Sequence, residues 1–248
     1  MQILVGIGFA AFFVAASTVG VRLLLLWRRT RQLPELLIGI GVLGIGPIGF
    51  GFAVIAEMIR QHQPAAAPPM FGIAVLAVGI GAFSVFVFNW RVYHPDNKSV
   101  QLLIWIAGGG LTATWLSDMV LSGFHNPYDF TPQYICRSLL QVSCLLWGSA
   151  EALRYGYKLR RRLRLGLADP VVANRFFLWG IGTGAAGMGS LIGVSVQAIT
   201  GMPLFDVPWL TLSSSLHGLV AAIAMWLAFV PPAGYLSRVR RLASEQSG

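Results

Sequence analysis

The sequence predicts an all-α integral membrane protein: a seven-transmembrane-helix bundle with its N-terminus outside and its C-terminus cytoplasmic. Three observations lead there. First, 56% of the 248 residues are hydrophobic and only 11% are charged, against about 25% charged in soluble domains; the mean hydropathy is +0.69. Second, seven apolar stretches long enough to cross a bilayer can be marked, roughly at 3–27, 36–59, 70–90, 101–123, 136–157, 174–199 and 209–230. Third, fifteen of the 18 basic residues fall on one side of the membrane if the chain crosses seven times. By the positive-inside rule that side is the cytoplasm, which suits an inner-membrane, multi-pass protein.

The elements follow in order. Span 1 opens on "MQILVGIGFAAFFVAAST" with no basic leader and continues to Trp27 before meeting "RRTR", so it reads as an uncleaved anchor. Arg22 lies in its inner part, and Arg28, Arg29 and Arg31 follow it. Span 2 carries Pro47 among glycines ("GIGPIG"), which predicts a kink and a candidate hinge. Spans 3 and 4 are joined through Arg91 and Lys98. Span 5 runs on toward Gly166 through "YGYKLRRRLRLG", a basic segment holding Lys158, Arg160, Arg161, Arg162 and Arg164. Asp169-Pro170 then restarts the chain as span 6, with aspartate as N-cap and proline in the first turn. Residues 1–235 form one seven-helix transmembrane domain, and 236–248 a short basic cytoplasmic tail with Arg238, Arg240 and Arg241. The outer loops (61–69, 126–134 and 200–208) are too short to fold alone, so an outside ligand must be small, lipid-like or docked on helix ends.

The placement of the net charge of +9 argues for orientation and lipid contact, not nucleic acid. Membrane lipids are the expected partners, with anionic lipid at the basic inner loops and a cytosolic or membrane protein as a further possibility. Three G-x-G-x-x-G strings (39–44, 44–49 and 182–187) lie inside apolar helices. They read as small-residue helix packing and not as a nucleotide loop. Gly180/Gly184 and Gly189/Gly193 have the matching G-x-x-x-G spacing. Span 7 has no lysine, which excludes a retinal Schiff base. Of the four histidines only His217 lies deep, so a bis-histidine haem does not fit and no cofactor is expected. Cys136 and Cys144, eight residues apart on one helix, cannot pair with each other.

Polar residues in the outer half are the candidate site. Asp118 lies about 9 Å outside the midpoint of span 4, still at hydrocarbon depth. Exposing it to lipid would cost about 2.5–3.5 kcal/mol. Thr114, Asp118, Ser122 and His125 share one helical face, and Ser213 and Ser214 stack over His217 on span 7. Span 5 adds the stripe Arg137, Gln141, Cys144, Gly148 and Glu151. The expected ligand-binding set is Asp118, His217, Gln141, Arg137, Ser214, Thr114 and His125, in a polar cavity between spans 4, 5 and 7. Two readings stand for it: a pocket for a small or lipid-like ligand, or a structural polar clasp in which Asp118 pairs with Arg137 or His217. Glu151 is expected to pair with Arg154 and Arg22, and Glu57 with Arg60 to form a surface rim.

Two inner-end strings resemble motifs of G-protein-coupled receptors. "NWRVY" (89–93) and "PPAGY" (231–235) resemble that family's D-R-Y and N-P-x-x-Y, over ten residues in all. No acid precedes Arg91, Pro231 stands where the family has asparagine, and the external cysteine pair is missing. Arg91 is accounted for as a positive-inside residue and Pro231-Pro232 as a helix terminator. The functional expectation is a receptor-like or sensor protein and not an enzyme. The alternatives are a metal-dependent hydrolase with zinc on Asp118, His217 and His125, a small-solute transporter, and a structural partner subunit.

Overall fold

The computed structural model describes residues 2–163, 165–202 and 207–245. Arg164 of the basic segment, residues 203–206 of the last outer loop and the final three residues of the tail lie outside the described residues. The chain is all-helical, with no strand among the described residues. Its elements are α1 (Gln2–Thr30), α2 (Leu33–Leu43), a π-helical segment (Gly44–Phe50), α3 (Gly51–Arg60), α4 (Ala67–Tyr93), α5 (Lys98–Leu121), α6 (Pro132–Leu163), α7 (Pro170–Thr200), α8 (Pro208–Phe229) and α9 (Ala233–Glu245).

Among the described residues, six helical stretches are long and apolar enough to cross a membrane: α1, the continuous α2–α3 stretch, α4 with the short turn before it, α5, α7 and α8. The seventh predicted span, α6, is 32 residues long but is not in that apolar class. The reason is its polar stripe, with Arg137, Gln141, Glu151 and Arg154 spaced through it.

Local sequence explains the helix ends. Asn97 caps α5, its side chain accepting from the amides of Ser99 (3.0 Å) and Val100 (3.2 Å). Asp169 caps α7 through the Val171 amide at 2.7 Å, with Pro170 in the first turn, as the Asp-Pro pair predicts. The expected kink in span 2 is a full π-helical segment. Pro47 has no amide proton to give, and its ring crowds the carbonyl four residues back. The chain responds at Gly46, which leaves helical geometry (φ −84°, ψ −106°).

Packing around this break depends on missing side chains. A Cβ on Gly44 would lie 2.6 Å from the Ala77 carbonyl, and one on Gly81 would lie 2.8 Å from the Ile45 nitrogen. The π segment and α4 therefore touch backbone to backbone, the close approach that small residues allow in membranes. On α7, a Cβ at Gly180 would run into Leu153 and one at Gly184 into Ser149, both on α6. The glycine strings are packing surfaces.

The helices close into a ring: α1 packs on α2, the α2–α3 span on α4, α4 on α6, α6 on α7, α7 on α8 and α8 back on α1. Helix α5 stands outside, packed on α4 and α6. It is buried along one stripe only, made of Ile104, Ala107, Leu111, Thr114 and Asp118, while Leu102, Leu103, Trp105 and Ile106 are exposed. Most of the basic residues lie at one end of the ring, where Tyr93, Tyr155 and Phe176 meet. The described part of the tail folds as α9, which packs on α7.

Candidate functional site

Helix α5 delivers Asp118 to α6 on its single buried stripe, and Arg137 meets it there as an ion pair. Arg137 also donates to the Pro127 carbonyl of the loop that joins α5 to α6. Asp118 is 6% exposed and Arg137 5%, so both charges are matched away from solvent. The same loop is held from α7, where Gln197 donates to the Tyr128 carbonyl at 2.7 Å. Gln133 donates to Ser117 at 3.1 Å beside the pair. Breaking a buried pair from one side leaves an unmatched charge and costs about 3–5 kcal/mol. The arrangement locks a peripheral helix and a loop onto the ring.

The other expected residues go elsewhere. Thr114 is buried one turn from Asp118, but its hydroxyl is spent on the Leu111 carbonyl at 2.9 Å. His125 leaves the predicted face altogether. The helix stops at Leu121, and positive φ at Gly123 (55°) and Phe124 (62°) turns the chain away, leaving His125 exposed. Phe124 is held in that conformation by burial against Ala56, Ala67 and Phe71. His217 donates through Nδ1 to the Ser213 carbonyl at 2.7 Å and packs against Gly189 of α7. Because α8 packs on α7 and α1, His217 and Ser214 are not brought to Asp118. Gln141 is half-buried on α6. Of the two readings of Asp118, the pairing with Arg137 is the contact present: a two-residue clasp between α5 and α6. The helix ring puts α7 between α6 and α8.

The serine that matters on α8 is Ser215, 1% exposed, which donates to the Leu4 and Val5 carbonyls of α1 at 3.2 and 3.1 Å. Glu57 and Arg60 do pair, at 2.7 Å on an exposed surface. Cys136 is exposed and Cys144 buried, both as free thiols. Among the described residues no group of three or more His, Cys, Asp or Glu side chains is placed to hold a metal ion.

A second polar cluster lies at the basic end. Glu151 of α6 faces His94 Nε2 at 3.1 Å, accepts from Trp147 Nε1 at 3.3 Å and pairs with Arg154 at 3.4 Å. Arg154 was expected there. Arg22 was also expected, but it is exposed on α1, and His94 and Trp147 stand at Glu151 instead. Deeper in, Asn89 is fully buried and donates to the Cys144 carbonyl at 3.2 Å, while its Oδ1 has no partner.

A small, partly open apolar cavity lies between the helices of the ring. Its volume is about 40 Å³, room for a few water-sized groups at about 10–15 Å³ each. Every ring helix contributes to it: Phe12 from α1, Ile45 and Gly46 from the π segment, Val85 from α4, Leu145 from α6, Thr183 and Ala186 from α7, and Ala221 from α8. Thr183 does not make it polar, because its hydroxyl donates back to the Trp179 carbonyl at 2.8 Å. None of the seven expected site residues lines this cavity. The lining is apolar and carries no charge pattern, so little in the sequence marks it except Pro47 and the glycines.

The fold and its apolar helices define the class: a polytopic helical membrane protein. No family model, no curated protein and no solved structure matches the chain.

Proposed function

We propose that the chain is a seven-span, receptor-like sensor of the cell (inner) membrane, and that a small apolar or lipid-like ligand binds in the central cavity. The observation that carries this reading is the composition of the cavity wall. The π-helical break at Gly46 and the glycine-rich face of α7 line the same apolar space. The two segments best able to shift therefore share one small volume. A ligand larger than a few heavy atoms requires the ring to open, and its preference for the open ring is what biases the helix arrangement.

The seventh span in this reading is α6. It stands between α4 and α7, and its polar side chains are matched within the protein: Arg137 by Asp118, Ser149 by the Gly180 carbonyl at 2.7 Å, and Glu151 by its cluster. Cys136, Leu139 and Ser143 are left facing outward. With α6 counted, the termini lie on opposite sides, with the basic end cytoplasmic by the positive-inside rule.

Xenon tests the cavity directly, because it is apolar, nearly spherical and close to the available size. Nanodisc-embedded protein should give a xenon-129 saturation-transfer signal distinct from that of empty nanodiscs. Ala186→Leu, which fills the cavity from α7, should abolish it. The absence of a protein-dependent signal in the wild-type chain would remove the cavity as a ligand site.

A further inference from the structure

The chain after the last span is a second kind of membrane element. Helix α8 ends at Val230, which leaves helical geometry, and α9 starts on the Pro232 carbonyl through the Tyr235 and Leu236 amides at 3.0 and 3.2 Å. Tyr235, Leu236 and Val239 lie on one face of α9 and are half-buried. Arg238 and Arg240 flank that face on either side and are exposed. Among the described residues neither arginine has an ion-pair partner. This is the pattern of a helix lying in a membrane interface: an apolar strip, bordered by long cationic side chains that reach up to headgroups.

Position and charge select the partner. Asn174 donates to the Tyr235 hydroxyl at 2.8 Å, which ties the first turn of α9 to the first turns of α7, a helix long and apolar enough to cross a membrane. The cationic face therefore sits at an end of the apolar bundle, where anionic headgroups offer the complementary charge. The exposed Arg28, Arg29, Lys158 and Arg160 at the same end extend the cationic surface.

We propose that α9 docks in the interface plane on anionic phospholipid headgroups, its apolar side against α7 and Arg238 and Arg240 on the phosphates. Hydrogen exchange of the full chain in nanodiscs, with phosphatidylcholine alone or mixed with phosphatidylglycerol, tests it. The α9 amides should exchange up to about thirty-fold more slowly with the anionic lipid, the effect of two arginines near a charged surface. The double variant Arg238→Gln/Arg240→Gln should lose this lipid dependence, and raised salt should shrink it in the wild-type chain. Equal rates in the two lipids would overturn the proposal, as would a lipid dependence that survives both substitutions and salt. Fast exchange of α9 in both lipids would do the same and would leave its cationic face to an acidic protein.

Discussion

Asp118 and Arg137 show how one residue pair can carry a structural task that resembles a functional one. A carboxylate at hydrocarbon depth signals a site by default, and the sequence places it on a face with Thr114, Ser122 and His125. Only its match with Arg137 makes it a clasp, and that match depends on how α5 and α6 pack, which helical spacing does not reveal. Asp118→Asn and Arg137→Gln are each expected to lower stability by about 3–5 kcal/mol. Replacing both with apolar residues of similar volume should cost far less. Thermal unfolding of the four proteins in nanodiscs measures the coupling. Additive losses would mean that the pair does not act as a clasp. His94 and Glu151 teach a related lesson: His94 follows the end of α4 and reads as a loop residue, yet the packing of α4 on α6 brings it to Glu151.

Among the elements, the long apolar helices were legible because twenty or so apolar residues between charges leave few alternatives. Pro47 marked the break in span 2, and the glycine spacing on α7 marked a packing face. The ring order and the outlying position of α5 were not legible, since apolar helix faces look alike in sequence. Nor was α9, whose thirteen residues are too few to stand out beside the spans. Helix α6 is the informative case, because its polar stripe removes it from the apolar class although it is long enough to cross. If α6 spans the membrane, cysteines placed at Phe130 and Leu165, both exposed, should lie on opposite sides. In a Cys136→Ser/Cys144→Ala background, a membrane-impermeant maleimide should then label only one of them in sealed vesicles of one orientation. Labelling of both from the same side would place α6 on the surface and leave six crossings.

Across the whole molecule, a ring of six helices surrounds a small apolar space, a seventh helix is clasped to its outside, and a cationic helix follows the last span. The central claim is that a ligand too large for the resting space opens the ring at its π-helical break. Spin labels at Met58 on α3 and Ile199 on α7, both exposed and at the end away from the basic clusters, report that movement as a distance. With cyclohexane, which is larger than the resting cavity, applied to the nanodisc-embedded protein, the distance distribution between the labels should shift by about 1–2 Å or more. The Ala186→Leu variant should show no shift. A wild-type distribution unchanged by cyclohexane, under conditions where it displaces the bound xenon, would contradict the claim and leave the cavity a packing gap.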